Sequence, residues 1–367
     1  MRILVTGAKG FIGKNLCFQL EEQGFTDIVK IDRNHSLQEL DGALETVDFI
    51  FHLAGINRPK NDNEFKQGNV DLTSHIVTKL SELNRATPIL LTSSIQAEQS
   101  NPYGVSKAQA EDVVSEYGIQ SQAKVYIYRL PNVFGKWCRP NYNSMVATFC
   151  HNVANDLPLT INDPDAKVNL VYIDTVCEHF IHHLNHSEKS GEQQIKPIYP
   201  TTVGEVASAL ESFKESKSSL VTENVGSGFL RALYSTYISY YSPEQFSYTV
   251  PAYTDSRGSF CELLKTKDAG QFSFFTAHPG ITRGGHYHHS KNEKFLVIKG
   301  QARFRFEHIS TGECYELDVN GDDYRVVETV PGWTHDVTNI GDLELIVMLW
   351  ANEIFDREKP DTFAMPL

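Results

Sequence analysis

The chain has 367 residues, 41% of them apolar and 22% charged, which suffices for two hydrophobic cores and is ordinary for a globular protein. Its 33 basic and 46 acidic side chains leave a net charge of −13, which disfavours non-specific binding to nucleic acid or to an anionic membrane surface. The six cysteines are scattered without a C-x-x-C pair, and no apolar run is long enough to span a bilayer, so reduced thiols in a cytoplasmic protein are expected.

Met1 to Gly7 enters a strand and turn at once, without the apolar run and cleavage site of a signal peptide. Ile3-Leu4-Val5 reads as the first strand, and Gly13 to Gln23 as the helix that follows. Ile28 to Ile31, Phe49 to Leu53, Ile89 to Leu91 and Val125 to Tyr128 are further strands, with helical stretches between them. That alternation predicts an α/β, doubly wound parallel sheet. From about Phe246 the texture changes to Phe295–Ile298, Ala302–Phe306, Tyr324–Val327 and Leu345–Leu349, short strands separated by Gly, Asp and Asn turns. Strands in succession without helices predict an all-β, antiparallel barrel or sandwich. The expected domains are therefore 1–245 and 246–367, with the junction near Ser242 to Tyr253. That junction carries Tyr, Phe and Pro, which predicts docked rather than loosely tethered domains.

Gly7-Ala8-Lys9-Gly10-Phe11-Ile12-Gly13 follows the first strand and opens a helix. The first glycine serves the tight turn, the second lets backbone approach a pyrophosphate, and the third lets helix and strand pack closely. Asp32 ends the second strand, where a carboxylate accepts from an adenosine 2′-OH, while Arg33 beside it suits a 2′-phosphate. The spacing G-x-x-G-x-x-G resembles the extended short-chain dehydrogenase/reductase family, a Rossmann-type fold. The resemblance continues in His52-Leu53-Ala54-Gly55, Asn69, Tyr103-Gly104-Val105-Ser106-Lys107 and Arg129-Leu130-Pro131-Asn132-Val133-Phe134-Gly135. It implies cofactor contacts at Gly7, Gly10, Phe11, Ile12, Gly13, Asp32, Arg33, Leu53, Ala54, Lys107, Pro131 and Asn132. Tyr103 and Lys107 lie four apart on a helix and so share a face. A phenol near pKa 10 needs a neighbouring ammonium to exchange its proton at neutral pH. The resemblance also implies a Ser or Thr that polarises the substrate carbonyl, and Ser94 is the candidate. Ser94 and Tyr103 are only nine positions apart, so this chain lacks part of the loop typical of the family.

In the second half, Gly280, His286, His288, Glu293 and Gly300 reproduce the intervals of the first cupin motif, and Pro331-Gly332-Trp333-Thr334-His335 resembles the second. The second motif normally has one residue between its Pro and Gly; here they are adjacent. Histidines at i and i+2 project from one face of a strand, and Glu293 and His335 complete a three-His, one-Glu set that Zn²⁺, Mn²⁺ and Fe²⁺ all accept, with zinc the expected divalent metal. His289 is expected at the surface. Asp255-Ser256-Arg257-Gly258-Ser259-Phe260 resembles a segment of the cupin-type nucleotide-sugar 3,5-epimerases, where the arginine lies close to substrate, although an exposed turn fits it as well.

A reductase followed by a cupin, with Lys136–Ser144 and Leu233–Tyr237 as they stand, resembles a family of bifunctional enzymes of bacterial capsular polysaccharide synthesis. That likeness implies a UDP-linked 2-acetamido-2,6-dideoxy-4-hexulose substrate on the route to UDP-N-acetyl-L-fucosamine. The cupin would epimerise C3, and the reductase would reduce the C4 ketone with NADPH, giving the L-talose sugar. It also implies a homodimer and decides for NADP over NAD. Two other classes stand beside this reading: a nucleotide-sugar reductase, dehydratase or 4-epimerase with a non-catalytic cupin, and a non-enzymatic NADP sensor. Retention of both Tyr103 and Lys107 argues against the sensor.

Overall fold

Ile3–Thr6 (β1) is buried along its whole length, and so are Phe49–His52 (β3) and Ile89–Ser94 (β4). Near-continuous apolar runs of this kind belong to strands covered on both faces. With Ile28–Ile31 (β2), Val125–Leu130 (β5) and Gly191–Gln193 (β6) they form one parallel sheet in the order β2-β1-β3-β4-β5-β6. Helices Phe11–Glu22 (α1), Leu37–Leu44 (α2), Leu72–Glu82 (α3) and Pro102–Ser121 (α4) are the crossovers. Leu4, Leu40, Ile50, Ile76, Leu80, Ile89 and Val114 share one core cluster. The chain leaves β1 toward β2 on one side and later returns to β3 on the other. That reversal opens a crevice at the carboxyl ends of β1 and β3, the place where ligands bind in open α/β sheets. The α/β expectation is met.

This computed structural model describes residues 1–367 apart from 60, 251, 256, 257, 262, 263, 267–269 and 354–357. The chain groups into two compact units, 1–134 with 168–200, and 135–167 with 201–367. The first holds the parallel sheet. In the second, antiparallel strands begin with Ser247–Thr249 (β7). Helices Met145–Ala154, Val203–Ser219 and Gly228–Ile238 group with these strands rather than with the parallel sheet. Among the described residues no helix is long and apolar enough to cross a membrane.

The strands of the second unit are Gln271–Ala277 (β8), Thr282–Tyr287 (β9), Glu293–Lys299 (β10), Gln301–His308 (β11), Cys314–Asn320 (β12), Arg325–Glu328 (β13), Trp333–Asn339 (β14), Leu345–Ala351 (β15) and Phe363–Ala364 (β16). They form two five-stranded sheets, β7-β13-β10-β15-β8 and β12-β11-β14-β9-β16, which fulfils the all-β expectation. Alternation along β10 turns Glu293 and Lys294 to opposite faces. Lys294 pairs with Glu328, its cross-strand neighbour, and both are buried. Lys217, from helix Val203–Ser219, lies 3.5 Å from the same carboxylate, and Tyr234 reaches it from helix Gly228–Ile238. Removing Glu328 would leave buried Lys294 without its counter-charge, a change that typically costs about 3–5 kcal/mol. This ionic seam explains why those helices belong with the strands.

Candidate functional site

The β1–α1 turn is shaped by backbone that admits no side chain. Gly7 has φ +69°, and a Cβ there would lie 2.9 Å from the Ala54 nitrogen. At Gly13 it would lie 2.2 Å from the Gly7 carbonyl oxygen. Either substitution forces turn, helix and β3 apart. Helix α1 starts at Gly10 with no side-chain cap and no acidic residue in its first turn, whereas α2 carries a full Ser36/Glu39 capping box. The first N–H groups of α1, at Phe11, Ile12 and Gly13, are thus left for an anion such as a pyrophosphate. Leu53 and Ala54 follow β3 directly beside the turn. Beneath it, buried His52 bridges Thr6 at 2.8 Å and Thr73 at 2.9 Å. Burial lowers the His52 pKa to about 3, so the bridge is neutral.

At the end of β2, Asp32 is held by Lys9 at 2.8 Å and accepts the Asn34 N–H at 2.8 Å. The Lys9 contact first, then that N–H, bring its pKa down to about 2. Arg33 is exposed next to it. The Lys9–Asp32 pair escaped sequence reading, because Lys9 sits in the glycine turn and meets β2 only through the fold.

The short connection between Ser94 and Tyr103 is spanned by one 3₁₀ turn, Ile95–Glu98. Ser94 ends β4 and caps that turn, its Oγ accepting from the Gln96 N–H at 3.2 Å. Helix α4 starts immediately after, capped by Asn101 on the Gly104 N–H at 2.8 Å. A Cβ on Gly104 would lie 2.2 Å from the Gln96 carbonyl, so only glycine lets α4 begin this close. The result brings Ser94 close enough to Tyr103 to act on its phenol. Burial raises the Tyr103 pKa, and Ser94 works against that. Buried Lys107 lies one turn further along α4, and its Nζ donates to the Thr92 carbonyl at 2.6 Å. Desolvation lowers its pKa to about 8. Asn69 lies in a π-helical turn, Lys66–Asp71, a local widening frequent at functional sites. Its side chain clasps both backbone groups of Ile56, at 2.7 and 3.1 Å, and reaches Ser106 Oγ at 2.9 Å. Pro131 and Asn132 follow β5, with Asn132 paired to Leu170 in a short parallel ladder.

In the second unit, His286 on β9 faces His335 on β14 in register, next to a bulge at Gly284. His288 follows β9, and Glu293 opens β10 in the opposing sheet. One ligand atom from each of the four lies within 4.8 Å of all the others. Glu293 Oε2 is 3.2 Å from His288 Nε2 and 3.5 Å from His335 Nε2. Tetrahedral ligands about 2.0–2.1 Å from zinc are separated by about 3.3 Å, so these spacings suit the ion. Neither ring nitrogen of His335 has a hydrogen-bond partner among the described residues, though the ring is buried. Burial, then His335 and His288, lower the His286 pKa to about 3. Burial would raise the Glu293 carboxyl, but the neighbouring His288 and His335 rings outweigh it and hold it well below the ordinary range. Neutral imidazoles and an ionised carboxylate are the forms a divalent metal requires.

His289 is not at the surface: it is 7% exposed, with Phe363 4.9 Å and Tyr287 5.7 Å from its ring. β16, far along the chain, covers it. Ser256 and Arg257 lie outside the described residues. The adjacent Pro331-Gly332 makes a tight turn: Trp333 N–H bonds to the Val330 carbonyl at 3.0 Å, and Gly332 N–H to the His288 carbonyl at 3.1 Å. Gly332 has φ +82°, and a Cβ there would press on Trp137 at 3.0 Å.

Residues 3–196 match the NAD dependent epimerase/dehydratase family, and residues 253–363 match the polysaccharide biosynthesis C-terminal domain. The chain is 55% identical over 365 residues to a UDP-2-acetamido-2,6-beta-L-arabino-hexul-4-ose reductase of Pseudomonas aeruginosa, covering 99% of this chain and 98% of that one. Among solved structures, the capsular polysaccharide assembling protein CapF from Staphylococcus aureus superposes with a TM-score of 0.69 at 42% identity, each chain covered completely. A UDP-glucuronic acid 4-epimerase from Bacillus cereus, solved with NAD, matches 60% of this chain and 85% of its own at 21% identity, with a TM-score of 0.52. That last likeness is one of fold.

Proposed function

This chain belongs to the NAD dependent epimerase/dehydratase family and carries a polysaccharide biosynthesis C-terminal domain, and from that membership we propose that it is a bifunctional, CapF-like nucleotide-sugar enzyme of capsular polysaccharide synthesis. Its substrate is a UDP-2-acetamido-2,6-dideoxy-4-hexulose. Residues 246–367 epimerise C3, and residues 1–245 reduce the C4 ketone with NADPH to give UDP-2-acetamido-2,6-dideoxy-L-talose. The enzyme works in the cytoplasm as a homodimer. The observation that carries the reading is the joining of Ser94, Tyr103 and Lys107 in the same unit as the glycine turn, within a chain so similar to a hexul-4-ose reductase.

The nicotinamide cofactor, when bound, supplies the hydride to C4. Gly7, Gly10 and Gly13 admit its pyrophosphate to the α1 N-terminus, with Phe11 and Ile12 lending N–H groups. Leu53, Ala54, Pro131 and Asn132 border it, and Lys107 binds its ribose. Ser94 hydrogen-bonds the ketone oxygen, and Tyr103 gives that oxygen its proton as C4 is reduced. Lys107, protonated at neutral pH, stabilises the phenolate left behind. In the strand domain, His286, His288, Glu293 and His335 hold a divalent metal, expected to be zinc, which supplies Lewis acidity toward an oxyanion. The C4 ketone acidifies the C3 proton, so deprotonation and return of a proton to the opposite face invert C3. Reduction then removes the ketone and fixes the new configuration.

The preference for NADPH is supported by the Lys9–Asp32 pair. Lys9 offsets the charge on Asp32 that would repel a 2′-phosphate, and Arg33 adds a second cation beside it. A hydrogen bond to a charged group contributes about 1.5–3 kcal/mol, or about 10- to 100-fold. Lys9→Ala is expected to raise the KM for NADPH by that factor relative to NADH. An unchanged ratio in both Lys9→Ala and Arg33→Ala would assign the preference elsewhere.

The depressed pKa of Lys107 predicts the pH profile of reduction. The ammonium is present below about 8 and lost above it, so kcat should fall as pH rises through that value. Between about 8 and 10.5 the folded chain binds fewer protons at this site than the unfolded chain. That contribution makes folding more favourable with rising pH. The alkaline loss should therefore occur without unfolding. A kcat flat from about pH 6 to about pH 10 would remove Lys107 from the proton chemistry.

The decisive experiment is incubation with the UDP-4-keto sugar in D₂O, with and without NADPH, followed by NMR. Deuterium at C3 without NADPH, and an L-talo product with it, are expected. Reduction with no C3 exchange would leave the strand domain non-catalytic.

A further inference from the structure

The spacing of the metal motif names four ligands but not what holds them in place. His288 lies beyond the end of β9, and loop 289–292 connects it to Glu293 in the other sheet. Within that loop Asn292 Nδ2 donates to the Ser290 carbonyl at 2.7 Å, and Lys291 pairs with Glu293 at 3.1 Å. The C-terminal segment supplies a second, non-local hold.

Asp361 places its carboxylate against three consecutive backbone N–H groups, of His289 at 2.8 Å and of Ser290 and Lys291 at 2.6 Å each. Ser290 Oγ donates to it as well, at 3.0 Å. Three successive amides turned toward one point form an anion-binding concavity, and here the chain fills it with its own carboxylate from 70 residues away. The backbone carbonyl of the same residue accepts from His288 Nδ1 at 2.5 Å. That bond puts the ring proton on Nδ1 and leaves the Nε2 lone pair directed at Glu293 and the metal position. Two residues on, β16 pairs with the ligand strand, Phe363 with Tyr287 and Ala364 with His286. Met365 N–H then bonds to Gly285 O at 2.8 Å, and Thr334 Oγ donates to Met365 O at 2.6 Å. Arg231 buttresses the arrangement from helix Gly228–Ile238, hydrogen-bonding Ser290 and standing 3.9 Å from the Asp361 carboxylate.

We infer that segment 361–365 is a clamp on the metal centre, and that Asp361 is the positioning residue that sets the ring nitrogen of His288 and the span between His288 and Glu293. The inference rests on the reading of the quartet as a metal site. Asp361 touches no ligand atom on the metal side. It acts through the loop amides and through the carbonyl that its own anchoring holds under His288.

The test uses the full-length protein and zinc alone, with affinity measured by competition with a chromophoric chelator, and cobalt(II) as a spectroscopic probe of ligand geometry. The forms compared are wild type, Asp361→Ala, Asp361→Asn and His335→Ala. His335→Ala should lose the metal. Asp361→Ala should bind zinc about 10- to 100-fold more weakly, with altered cobalt ligand-field bands. Asp361→Asn retains an acceptor oxygen and should fall between. Melting of the metal-free forms separates a positioning role from a structural one. A lower melting temperature with wild-type zinc affinity and an unchanged cobalt spectrum would overturn the clamp. If Asp361→Ala does not fold, Asp361→Asn decides by the same two readouts. A His335→Ala protein that binds zinc as wild type does would overturn the metal reading, and the clamp with it. Loss in His335→Ala with wild-type binding in both Asp361 variants would overturn the clamp alone.

Discussion

Tyr103→Phe is expected to lower NADPH-dependent reduction of the 4-keto sugar by about 10²- to 10⁴-fold, the usual contribution of a positioned acid or base. Little else should change. The phenol ring packs on Phe65, with ring centroids 5.6 Å apart, and phenylalanine keeps that contact. What disappears is the hydroxyl near Ser94, and a single hydrogen bond is worth about 0.5–1.5 kcal/mol of stability. Cofactor affinity should be nearly unaltered, because Lys107 and the glycine turn remain. Stopped-flow NADPH oxidation, with cofactor binding measured by fluorescence, separates the two quantities. Wild-type turnover in this variant would remove Tyr103 from the proton transfer.

His288→Ala is expected to affect the other half of the reaction. The side chain is 2% exposed and supplies one of four converging ligand atoms. Metal affinity should therefore fall by more than the roughly 10- to 100-fold that loss of an outer partner costs. Deuterium should no longer enter at C3, while reduction of a substrate already inverted at C3 should persist. Tyr103→Phe should show the reverse pattern, with C3 exchange intact and reduction blocked. Mixed as separate proteins, the two variants should restore product formation through the released intermediate. Normal C3 exchange in a metal-free His288→Ala protein, with exchange lost in Tyr103→Phe, would move both steps into the reductase domain.

Much of this was legible without coordinates where the chemistry depends on neighbours in sequence. A glycine turn between a buried strand and a helix needs small residues at fixed offsets, so Gly7, Gly10 and Gly13 announce it. Tyr103 and Lys107 meet because a helix repeats every 3.6 residues, and His286 and His288 because successive side chains of a strand alternate. The missing loop between Ser94 and Tyr103 was readable as a departure. That Gly104 lets one 3₁₀ turn replace it was not, because the clash it avoids is with the Gln96 backbone.

The rest was decided by which distant segment arrives. His289 looks like a solvated member of a histidine run until β16, more than 70 residues later, covers it. Lys9 looks like a spacer in the glycine turn until β2 brings Asp32 to it. Helices Val203–Ser219 and Gly228–Ile238 read as the end of the α/β half, yet Lys217 and Tyr234 converge on Glu328 and draw them to the strands. Asp361 carries no motif at all. Periodicity encodes local geometry because backbone dihedrals repeat along the chain. Which strand pairs with which edge is settled by burial and hydrogen-bond satisfaction across the whole fold. The sequence by itself therefore determined the two fold classes and the residues proposed for each chemistry. Only the tertiary structure decided what holds those residues in place.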